Sequence, residues 1–175
     1  MDRELLLLGV LRQHGMHGYQ VHEFIDRYLA SCTDLKKPTA YFLLDKLAKA
    51  GWITHEQMQE GHRPPRRVYQ LTPQGEAEYQ RLLRENLAGY IPAYFVSDIG
   101  VAFLDELPVD EALGRLRQRR GLIVAELEIA QAAPPHPGSL QWLVEHRVRH
   151  LRAELEWLDE ILARLAAVTP PPASA

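Results

Sequence analysis

One cysteine, Cys32, stands among 175 residues, so no disulfide can close within the chain and no cysteine-built zinc site is available to it. Apolar runs are short. The longest, around ELLLLGVL near the start, falls well below the roughly 20 residues that a membrane span needs and follows an acidic residue, so neither a span nor a secretory leader is expected. A cytoplasmic protein is the resulting expectation. The sequence also has no glycine-rich phosphate loop, no nucleophile elbow and no setting that would activate the lone thiol, and this points away from an enzyme. His14, His17, His22, His55 and His62 lack ligand spacing with a third partner. His146 and His150 are an i, i+4 pair, but they flank an apolar stripe and read as a hydrated helix face. No metal and no cofactor are expected.

What is present is enough apolar material, 46 % of residues, to build one or two small cores. The net charge of −3 is unevenly spread: residues 1–85 carry 12 lysines and arginines against 11 acids, and the remainder carry 8 against 12. An anionic partner would therefore be met by local clusters. Two stand out, Lys36-Lys37 and the arginines of GHRPPRR at 61–67.

Periodicity supplies the elements. Leu5, Leu8 and Leu11 predict a short helix ending near His14-Gly15. Val21, Phe24, Ile25, Tyr28 and Leu29 predict a second. Ala40, Leu43, Leu44 and Leu47 line one side of a third helix over 39–50, stopped by Gly51, with Phe42, Asp45, Lys46 and Lys49 on its open face. WITHEQMQ and VYQLT then read as two strands of a hairpin with a basic tip, and Thr72-Pro73 as the N-cap and first residue of a fourth helix through Tyr79, Leu82, Leu83 and Leu87. Prolines cut the second half into helical blocks. In the last block Val144, Val148, Leu151, Leu155, Leu158, Leu162 and Leu165 alternate spacings of four and three, a heptad stripe that predicts burial against a neighbouring helix and is assigned here to dimerisation. The tail TPPPASA has too little to bury and is expected to be disordered.

This order is that of a mainly helical protein: a winged helix-turn-helix with a two-stranded wing over 1–86, a helical dimerisation and effector region over 87–168, and a tail over 169–175. Such a domain lays the third helix in the DNA major groove while the hairpin reaches phosphates or the minor groove. Thr39, Tyr41 and Lys46 are the candidate groove contacts. Lys36, Lys37 and Tyr19 are candidates for the backbone, as are Arg63, Arg66 and Arg67, whose planar forks suit phosphate. Tyr41 has an equal alternative role in packing between helices, and Lys49 reads as a solvated face. The bland alternative for the whole is a winged module that binds protein without specific DNA binding.

Three stretches resemble the PadR family of bacterial transcriptional regulators. LLLLGVLRQHGMHGYQVHEFI is similar to its first two helices, including His17-Gly18-Tyr19. KKPTAYFLLDKLAKAGWI is similar to its recognition helix through Pro38, Thr39, Tyr41, Leu43, Leu44, Leu47 and Gly51. GHRPPRRVYQLTPQG is similar to its wing through Gly61, Arg63, Pro64, Arg66, Tyr69, Leu71, Thr72 and Gly75. The wing carries an extra proline, the loop at 31–37 is longer, and Asp45 stands where the family often has a cation. The resemblance implies a homodimer on an inverted-repeat operator in double-stranded DNA, usually a repressor released by a small phenolic or other aromatic compound. Tyr90, Tyr94, Phe95, Trp142 and Trp157 are the candidate aromatic residues for that effector, with a role as helical core as the alternative.

Overall fold

The computed structural model describes residues 2–13, 16–29, 33–58 and 66–168. In chain order these form α1 (Asp2–Gln13), β1 (Met16–His17), α2 (Gly18–Tyr28), α3 (Lys37–Lys49), β2 (Ile53–Met58), β3 (Arg66–Leu71), α4 (Pro73–Ala88), the short α5 (Ile99–Ala102) between two 3-10 turns, α6 (Val109–Ala132) and α7 (Leu140–Val168). The chain divides into two compact units, Met1–Pro92 and Ala93–Ala175. No helix among the described residues is long and apolar enough to cross a membrane.

The first unit closes around one core. Leu7, Leu8 and Leu11 of α1, Val21 and Ile25 of α2, Leu44 and Leu47 of α3, Ile53, Tyr69 and Leu82 are all buried in it, which fixes the face each element turns inward. α1 lies close on α4: a Cβ placed on Gly9 would stand 3.2 Å from the Tyr79 ring. At the same joint Arg12 pairs with Glu76 at 2.8 Å and lies over the Tyr79 ring.

The chain turns from α3 into β2 through a left-handed glycine. Gly51, at φ 76°, donates to the Ala48 carbonyl, and Trp52 donates to that of Leu47, the paired bonds that end many helices. Thr72 secures the next corner. Its hydroxyl lies 2.7 Å from the Gly51 carbonyl oxygen and accepts from the Gly75 amide at 3.0 Å, so one side chain caps α4 and ties it to the end of α3. Gly75 is required there, because an added Cβ would fall 1.9 Å from the Trp52 carbonyl oxygen.

The wing is antiparallel, with Ile53 opposite Leu71 and Met58 opposite Arg66. A third strand, β1, joins the other edge of β3 and gives the order β1-β3-β2. It escapes the sequence reading because two residues show no alternation. α3 starts at Lys37, two residues before the periodicity suggests, because the fixed φ of Pro38 suits a first helical turn. Leu87 departs from the expected stripe of α4, being 77 % exposed.

In the second unit α6 and α7 form an antiparallel hairpin, clamped by Arg120 to Asp159 at 2.6 Å and by the Arg119–Glu154 and Arg147–Glu126 pairs. Leu158 of α7 is fully buried within the single chain, and Leu113 and Leu116 of α6 are buried as well. The heptad stripe thus has a partner inside its own chain; Val144, Val148, Leu151, Leu155, Leu162 and Leu165 are only half-buried by it. α6 carries a matching stripe at Val109, Leu113, Leu116, Arg120, Ile123, Leu127 and Ala130, broken in sequence by the arginine.

Candidate nucleic-acid interface

α3 shows two unlike sides. Ala40, Leu44 and Leu47 are buried, and at 3.6 residues per turn the opposite direction runs through Pro38, Phe42, Asp45 and Lys49, all exposed. Just before the helix, Leu35 is buried and its amide donates to the Thr33 hydroxyl at 3.2 Å, while Arg3 holds Asp34 at 2.9 Å. That anchor sends the next two residues, Lys36 and Lys37, outward. The N-terminus of α3 has no side-chain cap and no acid in its first turn. The positive end of the helix dipole therefore adds to the two ammonium groups, an arrangement suited to a phosphate.

Of the candidate groove contacts, Thr39 is half-buried and Tyr41 lies at the edge of the outward face, 38 % exposed. Lys46 reaches back to α1, where its Nζ donates to Glu4 at 2.7 Å; that bond holds the Glu4 carboxyl below its ordinary pKa of 4.5. Arg67 leans from β3 onto α3 and pairs with Asp45 at 3.1 Å. Hydrogen bonding to Tyr69 and the Asp45 charge raise its pKa, so this arginine joins wing to helix and has its charge partly matched within the chain. Arg63 lies outside the described residues, as do His62, Pro64 and the rest of the tip at 59–65. Arg66 opens β3 and Tyr19 sits in the first turn of α2.

The aromatic candidates do not form one cluster. Tyr90 lines a cavity of about 330 Å³ in the first unit together with Asp2, Leu5, Leu82, Glu85, Asn86 and Ile91. In the second unit Tyr94 is 88 % exposed and Phe95 stacks on His150, with ring centroids 6.3 Å apart. Trp142 and Trp157 stand 15 residues apart on α7, about 22 Å along the axis, too far to share a small pocket in one chain. Trp157 lies over Arg119, 5.4 Å from guanidinium carbon to ring centroid, and Arg119 also donates to Asp98 at 2.7 Å and to Glu154. Burial disfavours the Arg119 charge, yet the two carboxylates more than compensate and raise its pKa. Sequence spacing gave no sign of this cationic hub, because its members come from three elements.

A helical core with an antiparallel hairpin beside its third helix defines a winged helix-turn-helix fold. Residues 7–81 match the model of the transcriptional regulator PadR-like family. The negative transcriptional regulator PadR of Bacillus subtilis (strain 168) is 25 % identical over 173 residues, covering 91 % of this chain and 94 % of that one. The fold is similar to the crystal structure of Bacillus subtilis PadR in complex with operator DNA, at TM-score 0.82 and 22 % identity, covering 94 % of this chain and 99 % of that one. It is also similar to the same protein in complex with p-coumaric acid, at TM-score 0.75 and 21 % identity, covering 93 % and 94 %.

Proposed function

We propose that the chain is a cytoplasmic, homodimeric repressor that holds an inverted-repeat operator and lets go when a small aromatic compound binds. The observation that carries the reading is the outward side of α3, where Lys36, Lys37 and Lys49 surround an exposed helix face beside the wing. These cations, with Arg63 and Arg66 of the wing, would take phosphates and so set the helix in the major groove, with Thr39 and Tyr41 near base edges. Tyr19 would add a backbone contact from α2. Lys46 and Arg67 would act from their ion pairs, chiefly by holding α3 against α1 and the wing against α3.

The dimer is supported by apolar surface that one chain leaves in water. Val96, Ile99, Phe103, Leu122, Ile129 and Trp142 are each more than 60 % exposed in the second unit, and a second copy is the partner that would cover them. The half-buried stripe of α7 would finish its burial in the same contact. For the effector, the cavity beside Tyr90 has the volume of a small-ligand site; its leucine, isoleucine and phenol would suit an aromatic ring, and the Asp2 and Glu85 carboxylates with the Asn86 amide would favour uncharged hydrogen-bonding groups on it over an anionic one. The related PadR, a negative regulator crystallised both with operator DNA and with p-coumaric acid, supports the same pairing of ligands. Ligand binding would favour a dimer whose recognition helices no longer match successive grooves about 34 Å apart.

Sizing with DNA binding tests this. Wild type is expected to run as a dimer and shift DNA from upstream of its own gene, whereas Phe103→Asp gives monomers of unchanged helix content that no longer shift it. A monomeric wild type that binds the same DNA tightly would overturn the dimeric reading.

A further inference from the structure

Phe42 is the side chain of α3 that the core cannot explain. It points away from the buried stripe of Ala40, Leu44 and Leu47 and leaves 69 % of its surface in water. A single exposed apolar residue is unremarkable in itself. Its place is not: Phe42 lies in the amino-terminal half of the recognition helix, between Lys36 and Lys37 at one end and Lys49 at the other. That half is the part of a winged helix that meets base edges.

The neighbours on the same face narrow what this surface can read. Asp45, one turn on, is matched by Arg67 at 3.1 Å, and Lys46 is matched by Glu4 at 2.7 Å. Both charged groups are engaged within the chain, while the phenyl ring stays exposed. A phenyl ring offers no donor and no acceptor, so it is blind to the hydrogen-bonding code of the major groove. The one apolar group displayed there is the C5-methyl of thymine.

We propose that Phe42 is a specificity-determining residue that recognises a thymine in each operator half-site through its methyl group. The proposal rests on the DNA-binding reading above and adds a base identity to it. In a dimer the contact occurs twice, so the operator carries the thymine at two symmetry-related positions. The ring also fills space that a hydrated guanine or cytosine edge would need, and desolvating those polar edges without a partner disfavours them.

Deoxyuridine differs from thymidine by the lost methyl alone, which makes it the direct probe. With an upstream fragment delimited by footprinting, each thymine of one half-site is replaced in turn by deoxyuridine, and affinity is measured by fluorescence anisotropy for wild type, Phe42→Ala and Phe42→Leu. Wild type is expected to lose about fourfold at one thymine, the worth of one buried methyl. Phe42→Ala should bind more weakly and be indifferent to that replacement, and Phe42→Leu should keep part of the sensitivity. Matching thermal melts show that the variants fold, as expected for an exposed position. Wild type indifferent to deoxyuridine everywhere, or Phe42→Ala as sensitive as wild type, overturns the proposal. Should wild type shift no fragment even at low salt, the DNA-binding reading falls, and the assignment of Phe42 falls with it.

Discussion

Gly75 and Thr72 hold the corner where helix, wing and α4 meet. A methyl group at position 75 has nowhere to go, since the atom it would strike is the Trp52 backbone carbonyl and not the far end of a flexible side chain. Gly75→Ala is therefore expected to cost about 2–3 kcal/mol, a large loss for a single methyl, read as a lowered midpoint in urea with the slope unchanged. A neutral substitution would mean that the corner is looser than described. Charge acts more gently at this scale. The carboxyls of Glu4, Glu76 and Asp159 are held below their ordinary values by hydrogen bonds from Lys46, Arg12 and Arg120 respectively. Carboxylates with depressed pKa values stabilise the fold fully above their unfolded values, 4.5 for the glutamates and 3.8 for the aspartate, and lose that contribution as pH falls through the folded values. Melting temperature is thus expected to hold steady from neutrality to about pH 4.5 and to decline below it. The decline is modest, because these pairs are largely exposed. A melting temperature that rises on acidification would contradict the pairing.

Elements with strong periodicity were legible in the sequence, and those defined by long-range pairing were not. Thr72-Pro73 marked the start of α4, and the stripe of Ala40, Leu44 and Leu47 gave α3 its inner face, because cap and period are local properties. β1 exists only through its pairing with β3, and the Asp45–Arg67 and Lys46–Glu4 bridges join residues far apart in the chain; neither leaves a mark on spacing. The α7 stripe teaches a related lesson. Its regularity announced a helical neighbour without saying which, and the antiparallel α6 already supplies one, hidden in sequence by Arg120 in the matching stripe. Leu158, fully buried in a single chain, belongs first to that hairpin. Leu158→Ala is expected to destabilise the second unit by about 2–5 kcal/mol in a thermal or urea melt whether or not the protein is dimeric, and a melt unchanged at any protein concentration would remove the hairpin from the fold.

At the scale of the whole molecule, DNA binding asks a chain with a net charge of −3 to grip a polyanion. In the proposed reading this is possible because the excess acid lies in the second half of the sequence, while Lys36, Lys37 and Lys49 are exposed on and beside α3. Each phosphate neutralised releases counterions, so log affinity falls linearly with log salt, by about 0.9 per contact on duplex DNA. A dimer presents every lysine twice. The decisive measurement is the salt dependence of binding to the upstream fragment for wild type and for Lys37→Ala. A steep linear decline for wild type, made shallower by about 1.8 in the variant, is the predicted result, and a wild-type affinity indifferent to salt would contradict it.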